Sequence, residues 1–198
     1  MKNIAVLVLA AGTSSRMKRP KQLVKIGNNF LLEMVLSKAK SLNAKDVYCV
    51  LGANSTRIRK EISSPNIHFL THLKYKKGLS ASIAFGISQI ALKNQNYDAV
   101  LILLGDQPAI EKNYLNAMIT LFCEDTAIVI ASNYGNKLGV PALFPQSYFS
   151  ILQELSGDFG AKNILNGNDK IHAFSKKTNF TDIDTEEDLH AFKKALLR

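Results

Sequence analysis

The chain has 198 residues, of which 46% are hydrophobic, and its 25 lysines and arginines outnumber 16 acidic residues to give a formal net charge of +9. This length and apolar content suit a single folded domain over residues 1–198. They exclude global disorder, and no apolar run approaches the ~20 residues that a membrane-spanning helix needs. The charge indicates an anionic partner and leaves three classes open, namely a nucleic acid, a membrane surface and a phosphorylated small molecule.

Strand and helix patterns alternate along the whole chain. In chain order, the predicted elements are a strand at Ile4–Leu9, a helix at Phe30–Leu42, a strand at Val47–Leu51, a helix at Ser55–Ile62, a strand at Ile67–Leu70, a helix at Ser80–Leu92, a strand at Ala99–Leu104, a helix at Lys112–Phe122, a strand at Ala127–Ala131, helices at Phe149–Leu155 and Ala161–Leu165, a strand at Lys170–Phe174 and a helix at Glu186–Leu197. Thr185 precedes the last helix as an N-cap, with Asp188 three residues on. This alternation predicts an α/β sandwich with a mostly parallel sheet, and residues 133–144 are expected to form an antiparallel excursion near its edge.

The cysteines and the N-terminus indicate where the protein resides. Cys49 and Cys123 lie in separate apolar stretches without a Cys-x-x-Cys spacing, so we expect buried free thiols and neither a disulfide nor a zinc site. The apolar run Ile4–Ala11 resembles a signal peptide only faintly, because it is β-branched and runs into a loop of small residues. We therefore expect a cytoplasmic location.

A basic loop follows the first strand, at the edge where open α/β sheets bind their ligands. Its small residues Ala10, Ala11 and Gly12 let backbone N–H groups come close to a phosphate, and Arg16 to Lys21 add positive charge without any acidic residue. The loop lacks the patterns of the two common phosphate loops, and a merely solvated basic loop is the alternative.

Asp106 follows the central strand, in Gly105-Asp106-Gln107-Pro108. A carboxylate at the end of a buried strand is costly unless it is paired or binds a cation, and Mg²⁺ favours one or two carboxylates plus phosphate oxygens. The alternative is that Asp106 caps the following turn.

Six segments together carry a family resemblance. They are Leu9 to Lys21 (Leu-Ala-Ala-Gly-x-Ser-x-Arg-Met-x-x-Pro-Lys), Gly78-Leu79-Ser80-Ala81-Ser82, Leu104 to Pro108, Gly139 to Phe144, Gly157-Asp158-Phe159-Gly160-Ala161-Lys162, and Asp182 to Leu189. In this order they resemble the nucleotidyltransferases with a GT-A-like fold, and within these the molybdenum cofactor cytidylyltransferase and its MobA-like relatives. The resemblance implies the three-layer α/β/α, nucleotide-diphospho-sugar transferase fold.

The resemblance also implies roles for individual residues. Leu9, Ala10, Ala11, Gly12, Ser80 and Ser82 would bind the nucleotide; Arg16, Lys21 and Asp106 would bind it and act in catalysis; Asp106 and Asp184 would hold Mg²⁺; Asp158 would face the acceptor. Asp184 is alternatively a structural turn residue, and Asp158 a hydrogen-bonding loop residue. The Ala10-Ala11-Gly12 form favours CTP over GTP.

The implied reaction transfers CMP from CTP to the phosphate of molybdopterin and releases pyrophosphate. Catalysis would then consist of positioning and charge neutralisation, without a general base. The sequence departs from the family at Lys18, where glycine is usual, and at Lys162, where arginine is usual. If position 18 requires a positive φ, lysine is costly there.

Other functions stay open at this point. The same chemistry on a sugar phosphate or on methylerythritol phosphate is one alternative, since Pro20-Lys21-Gln22 is shared with the isoprenoid-pathway cytidylyltransferase, although Gly105 to Pro108 argues against that enzyme. A non-catalytic protein that binds the cofactor is another. A nucleic-acid-binding module is disfavoured because no helix shows a basic stripe. The resemblance implies neither a nucleic-acid nor a membrane partner. It also implies transient contact of this protein with a molybdoenzyme.

Overall fold

One mixed sheet organises the fold. The computed structural model describes residues 2–62, 64–93, 96–167 and 170–196. The strands in these ranges are Ile4–Ala10 (β1), Lys25–Ile26 (β2), Asn29–Phe30 (β3), Asp46–Leu51 (β4), Ile67–Thr71 (β5), Ala99–Leu104 (β6), Val129–Asn133 (β7), Leu138–Pro145 (β8) and Ile171–Phe174 (β9). Seven of these described strands form a sheet in the order β5-β4-β1-β6-β8-β7-β9, and β2 pairs with β3 in a small antiparallel ribbon.

The sheet is mostly parallel, as predicted. β1 pairs in parallel with β4 and β6, so that Val6 lies opposite Val47 on one side and Leu101 on the other. β5 is parallel to β4, and β9 is parallel to β7. β8 runs antiparallel to both β6 and β7, which confirms the antiparallel excursion.

The position of the excursion was predicted wrongly. β8 lies between β6 and β7 and not near the edge of the sheet. After β6 the chain passes to β7, which lies two positions away from β6 in the sheet. The turn after β7 then brings β8 back into the position between β6 and β7. The fully buried Ala142, Leu143 and Phe144 suit such an interior position.

Helices cover both faces of the sheet and complete three layers. They are Leu31–Lys40 (α1), Ser55–Glu61 (α2), Leu79–Ala91 (α3), Lys112–Glu124 (α4), Phe149–Gln153 (α5), Lys162–Leu165 (α6) and Glu186–Leu196 (α7). One apolar core lies between the sheet and α1, α2 and α4, and a second lies between the sheet and α3, α5 and α6. β1 contributes alternate residues to each, for example Val6 to the first core and Leu7 to the second, and burial of each such side chain stabilises the fold by about 1.5–3 kcal/mol.

A third, smaller apolar cluster holds the basic loop and α7 together. Met17, Val24 and Ile26 come from the segment after β1, and they pack with Leu31 and with Ile183, Leu189 and Phe192 from the segment that includes α7. α7 therefore anchors the loop that follows the first strand.

The ends of the elements agree with the predictions to within a few residues. The N-cap of α7 is confirmed, because the Asp188 N–H donates to Thr185 Oγ1 over 3.1 Å and Asp188 Oδ2 accepts from the Thr185 N–H over 2.8 Å. Leu197, the predicted last residue of this helix, lies outside the described residues.

Two further expectations concern accessibility. Cys49 is buried as expected, whereas the expectation that Cys123 is buried is wrong, because it lies on the solvent-facing side of α4. Within the described residues, every helix is too short or too polar to cross a lipid bilayer.

Candidate active site

A cleft of about 530 Å³ opens at the carboxyl ends of β1 and β6. Its lining residues come from the loop after β1, from the start of α3 and its preceding turn, and from the end of β6: Leu9, Ala10, Ala11, Gly12, Thr13, Lys21, Gln22, Tyr75, Lys76, Gly78, Leu79, Ser82, Leu104, Gly105 and Asp106. Seven predicted site residues are thus brought together here: Leu9, Ala10, Ala11, Gly12, Lys21, Ser82 and Asp106.

Gly105 brings Asp106 next to the loop. Its N–H donates to the carbonyl oxygen of Leu9 over 2.9 Å. A Cβ at position 105 would lie 2.9 Å from Ala10 Cβ, so a larger residue would push the ends of β1 and β6 apart. The approach of these two strand ends therefore depends on glycine.

Asp184 reaches the same place from the far end of the chain. The N–H of Ile183 donates to the carbonyl oxygen of Asp106 over 2.9 Å, and the buried Ile183 side chain fixes this segment in the third apolar cluster. Two carboxylates that are far apart in sequence are thereby held side by side.

The ammonium group of Lys21 lies between these two carboxylates. Its Nζ is 2.5 Å from Asp106 Oδ2 and 2.6 Å from Asp184 Oδ1. Burial lowers the pKa of Lys21, but the attraction of Asp106 and then of Asp184 outweighs burial and raises this pKa above its ordinary value. Lys21 is consequently a permanent cation and is unsuited to accept a proton.

The second oxygen of Asp106 fits a bound cation. Asp106 Oδ1 is buried and has no hydrogen-bond partner in the described structure. Burial and then the Asp106 carboxylate raise the pKa of the neighbouring Asp182 to about 6. Among the described residues, no three His, Cys, Asp or Glu side chains converge on one point, so a metal here would rely on one or two carboxylates and on oxygens of a ligand.

A second cavity of about 200 Å³ adjoins the cleft, and the two share Gly12 and Lys21. Arg16 and Asp184 line this second cavity, and Arg16 Nη1 donates to Asp184 Oδ2 over 2.8 Å. Arg19 makes a bidentate pair with Glu186, at 2.9 and 2.7 Å. The basic loop is therefore partly neutralised by the segment before and at the start of α7.

The predicted residues on the α3 side have different placements. Ser82 lines the cleft, and its hydroxyl donates to the carbonyl oxygen of Gly78 over 3.3 Å. Ser80 is buried outside the lining, where its hydroxyl donates to the carbonyl oxygen of Gly160 over 3.2 Å, so it holds the 157–160 turn against α3. Asp158 lies in that turn, and its carboxylate packs closely against Gly78. A Cβ added to Gly78 would lie 1.8 Å from Asp158 Oδ1.

Three residues of the cleft wall lie outside the six segments that carry the family resemblance. Tyr75 and Lys76 belong to a short turn after β5, and Gln22 follows Lys21. The rule that ligands bind beyond the carboxyl ends of strands points to the segment after β5 as well as to those after β1 and β6. Lys76 makes this side of the cleft basic too, and Lys74 and Lys77 lie close to it in the sequence.

The two departures from the family pattern have different structural settings. Lys18 has φ of 54°, so the position does adopt the left-handed conformation in which glycine is favoured. Lys162 is exposed at the start of α6, outside both cavities.

Comparison with known proteins shows which family this chain resembles. The model of the MobA-like NTP transferase domain matches residues 6–173. The bifunctional protein GlmU of Buchnera aphidicola subsp. Schizaphis graminum is 28% identical over 167 residues, which are 82% of this chain and 35% of that protein. The chain spans only about a quarter to a third of the length of such curated relatives.

Solved structures share the fold at lower identity. The Mycobacterium tuberculosis H37Rv protein Rv0371c superimposes with a TM-score of 0.86, 22% identity and 98% coverage of both chains. Its manganese complex gives a TM-score of 0.82, 20% identity and coverage of 98% and 100%. A CMP:2-keto-3-deoxy-manno-octonic acid synthetase complexed with CTP gives a TM-score of 0.76, 12% identity and 99% coverage of both chains.

Proposed function

Because the chain belongs to the family of MobA-like NTP transferase domains, we propose that it is a Mg²⁺-dependent nucleotidyltransferase. The proposed reaction moves CMP from CTP onto the phosphate of a molybdopterin-type acceptor. The attacking phosphate oxygen forms a bond to the α-phosphorus, the bond between the α-phosphorus and its bridging oxygen breaks, and pyrophosphate leaves.

One observation carries this proposal. Lys21 lies between Asp106 and Asp184 directly beside the small-residue loop at Ala10 to Gly12. The small-residue loop, a permanent cation and the Asp106 carboxylate thus line one cleft, and Asp184 lines the cavity beside it. This is the donor set that phosphoryl transfer needs, because its catalysis depends on positioning and on neutralisation of negative charge.

The residues fit a divalent cation at Asp106 and Asp184. The buried Asp106 Oδ1 supports this placement, because it is an acceptor without a donor among the described residues. The manganese complex of the mycobacterial structural neighbour supports a divalent metal in this fold. When bound, the metal would neutralise charge on the phosphate oxygens and on the leaving pyrophosphate.

The chain's own residues supply the other functions. Lys21 would contact the α-phosphate and stabilise the charge that develops there, and Arg16 would bind the terminal phosphates in the adjoining cavity. A phosphate monoester is already a nucleophile, so no side chain has to remove a proton. The permanent charge of Lys21 agrees with this assignment.

CTP and a molybdopterin-type acceptor are the favoured substrates. The Ala10-Ala11-Gly12 form of the loop favours a pyrimidine by resemblance, and the structural neighbour complexed with CTP supports the same nucleotide. Asp158, in the turn packed on Gly78, is the proposed contact on the acceptor side, and contact with a molybdoenzyme would follow product formation. A sugar phosphate is the second candidate acceptor, since one structural neighbour with a TM-score of 0.78 is named as a putative glucose-1-phosphate thymidylyltransferase.

The test is pyrophosphate release by the purified protein with Mg²⁺. CTP, GTP and ATP are each offered with molybdopterin, with glucose 1-phosphate and with methylerythritol phosphate. We expect release with CTP and molybdopterin. Release with another acceptor corrects the substrate, whereas nucleotide binding without release in any combination indicates a non-catalytic binding protein and refutes the proposed activity.

A further inference from the structure

Gln22 is a buried polar residue behind the small-residue loop. Only 2% of it is exposed. Its Nε2 donates to the carbonyl oxygens of Ala10, over 3.0 Å, and of Gly12, over 3.2 Å. Its Oε1 accepts from the Ser14 hydroxyl over 3.3 Å, and that hydroxyl oxygen accepts in turn from the Lys21 N–H over 3.0 Å. Both functional ends of the amide are therefore occupied by the loop itself.

These contacts fix which end of the amide faces the loop. Two carbonyl oxygens need two N–H donors, which only the NH₂ group supplies, and the reverse orientation would place Oε1 against both oxygens. A carboxylate or an apolar side chain of the same length cannot replace this group. The requirement is specific to the amide and not merely to its volume.

The same contacts orient the peptide groups of the loop. In a trans peptide the C=O of one residue and the N–H of the next point in opposite directions. Because the carbonyls of Ala10 and Gly12 point toward Gln22, the N–H groups of Ala11 and Thr13 point away from it. Ala11, Gly12 and Thr13 all line the cleft, and a Cβ added at Gly12 would meet open space.

We infer that Gln22 is a positioning residue, whose side-chain amide turns the loop N–H groups toward the phosphates of a nucleoside triphosphate. This inference rests on the proposed function, because it takes the triphosphate as the ligand of the loop. Gln22 acts through the backbone and does not touch the nucleotide. Its loss should therefore weaken triphosphate binding far more than it slows the chemical step.

The experiment compares Gln22→Met with the wild-type protein and with Tyr97→Phe. Methionine keeps the length and burial of glutamine but has no donor. Tyr97 is a matched control because it is buried and its hydroxyl donates to Asp46 Oδ2 over 2.7 Å, at the end of the sheet opposite to the cleft. Dissociation constants for CTP, GTP and ATP with Mg²⁺ are measured by calorimetry, together with melting temperature, KM and kcat.

For Gln22→Met we expect the dissociation constant of the bound triphosphate and its KM to rise about tenfold or more, because donors to a charged group are misaligned. We expect kcat at saturating nucleotide to stay within about threefold of wild type. Tyr97→Phe should lower the melting temperature without changing either binding constant. If Gln22→Met does not fold, Ser14→Ala removes the half-buried partner of Oε1, and it should raise the dissociation constant about threefold.

The outcomes are separable. If Gln22→Met, or Ser14→Ala in its place, binds the triphosphate as tightly as the wild-type protein, the inference is overturned and the proposed function stands. An affinity loss no greater than that of Tyr97→Phe overturns it as well. If the wild-type protein binds none of the three triphosphates, the proposed function fails and the inference fails with it.

Discussion

The Lys21 ammonium nitrogen lies 2.5 Å from Oδ2 of Asp106, which makes this lysine the counter-ion of the carboxylate proposed to hold a divalent cation. Only 13% of the Lys21 side chain and 20% of the Asp106 side chain are exposed, so water screens the pair weakly. A metal ion at Asp106 and Asp184 would therefore compete with the ammonium group for the negative charge of these carboxylates until a triphosphate offers Lys21 another partner.

This competition predicts the behaviour of Lys21→Met. Without nucleotide, we expect the variant to bind Mn²⁺ about tenfold more tightly than the wild-type protein, because the carboxylates have lost their internal cation. Transfer activity should be lost at the same time. Calorimetric titration with Mn²⁺ measures the affinity, and Lys25→Met, at an exposed lysine of the β2–β3 ribbon, is the control. Weaker or equal Mn²⁺ binding by Lys21→Met would contradict the competition.

Asp106→Ala is expected to abolish transfer and to leave the fold intact. Lys21 keeps Asp184 as a partner, so the buried ammonium is not left without a counter-charge. Pyrophosphate release should fall by about 10²–10³-fold or more, as when a group that stabilises the transition state is removed. Asp125→Ala, at the exposed end of α4, should retain full activity. Activity above about a tenth of wild type would remove Asp106 from the proposed metal site.

The glycines on the two sides of the cleft should respond differently to alanine. Gly12 faces open space and has an ordinary φ, so Gly12→Ala should keep its melting temperature but lose about tenfold in triphosphate affinity, because the methyl group enters the phosphate space. At Gly105 a Cβ meets Ala10 and Leu32, and Gly105→Ala should cost about 1–3 kcal/mol in unfolding free energy. Thermal melts and calorimetry measure both. Tight triphosphate binding by Gly12→Ala would place the phosphates elsewhere.

Lys18 predicts a simple stabilising change. Its φ of 54° is a conformation that costs a non-glycine residue about 1–2 kcal/mol. Glycine removes that cost but gains about 0.4–1 kcal/mol of unfolded-state entropy, so Lys18→Gly should raise the unfolding free energy by about 0.5–1 kcal/mol. Urea denaturation measures the difference. Lys137→Gly, at a turn residue without a positive φ, should instead lower the stability.

His72 predicts a pH dependence of stability. Its ring stacks on Phe85 with centroids 4.6 Å apart, and its Nε2 is buried without a partner in the described structure. Burial and then the charge of Lys74 lower its pKa below the ordinary 6.5, so the unfolded chain binds a proton more readily than the folded protein. The unfolding free energy should therefore fall as the pH drops below about 6.5.

His72→Phe isolates this contribution, because it keeps an aromatic ring against Phe85 and removes the titrating group. Urea unfolding between pH 5 and pH 7.5 should show a shallower decline for the variant than for the wild-type protein. Parallel pH profiles would show that His72 does not titrate in this range.

The strands were more predictable than their arrangement. β6 has the predicted bounds, Ala99–Leu104, because a strand buried on both faces needs a continuous apolar run that ends where polar residues begin. The place of β8 inside the sheet depends on which strands become neighbours, and no local pattern encodes that choice. The exposure of Cys123 could not be predicted either, because this residue of an apolar stretch lies on the solvent-facing side of α4.

The sequence predicted seven of the residues that line the cleft, but not the contacts between their side chains. Small residues and charges at the ends of β1 and β6 identified the loop and Asp106. The pairing of Arg16 with Asp184 joins residues 168 positions apart, and it depends on the packing of α7. Gln22 is part of the shared Pro20-Lys21-Gln22 segment, but a glutamine in a sequence does not reveal that it is buried behind a loop.

The burial of Met17 against Leu189 and Phe192 has a consequence for the order of assembly during synthesis. Met17 precedes Leu189 and Phe192 in the chain, so the loop after β1 leaves the ribosome well before its apolar anchor is made. β1, β4, β5 and β6 can pair beforehand, since they lie in the first half of the chain or just beyond it. Nascent chains released before α7 is made should thus contain paired β1, β4, β5 and β6 and lack the apolar anchor of the loop after β1, so this loop becomes fixed only once α7 has been made.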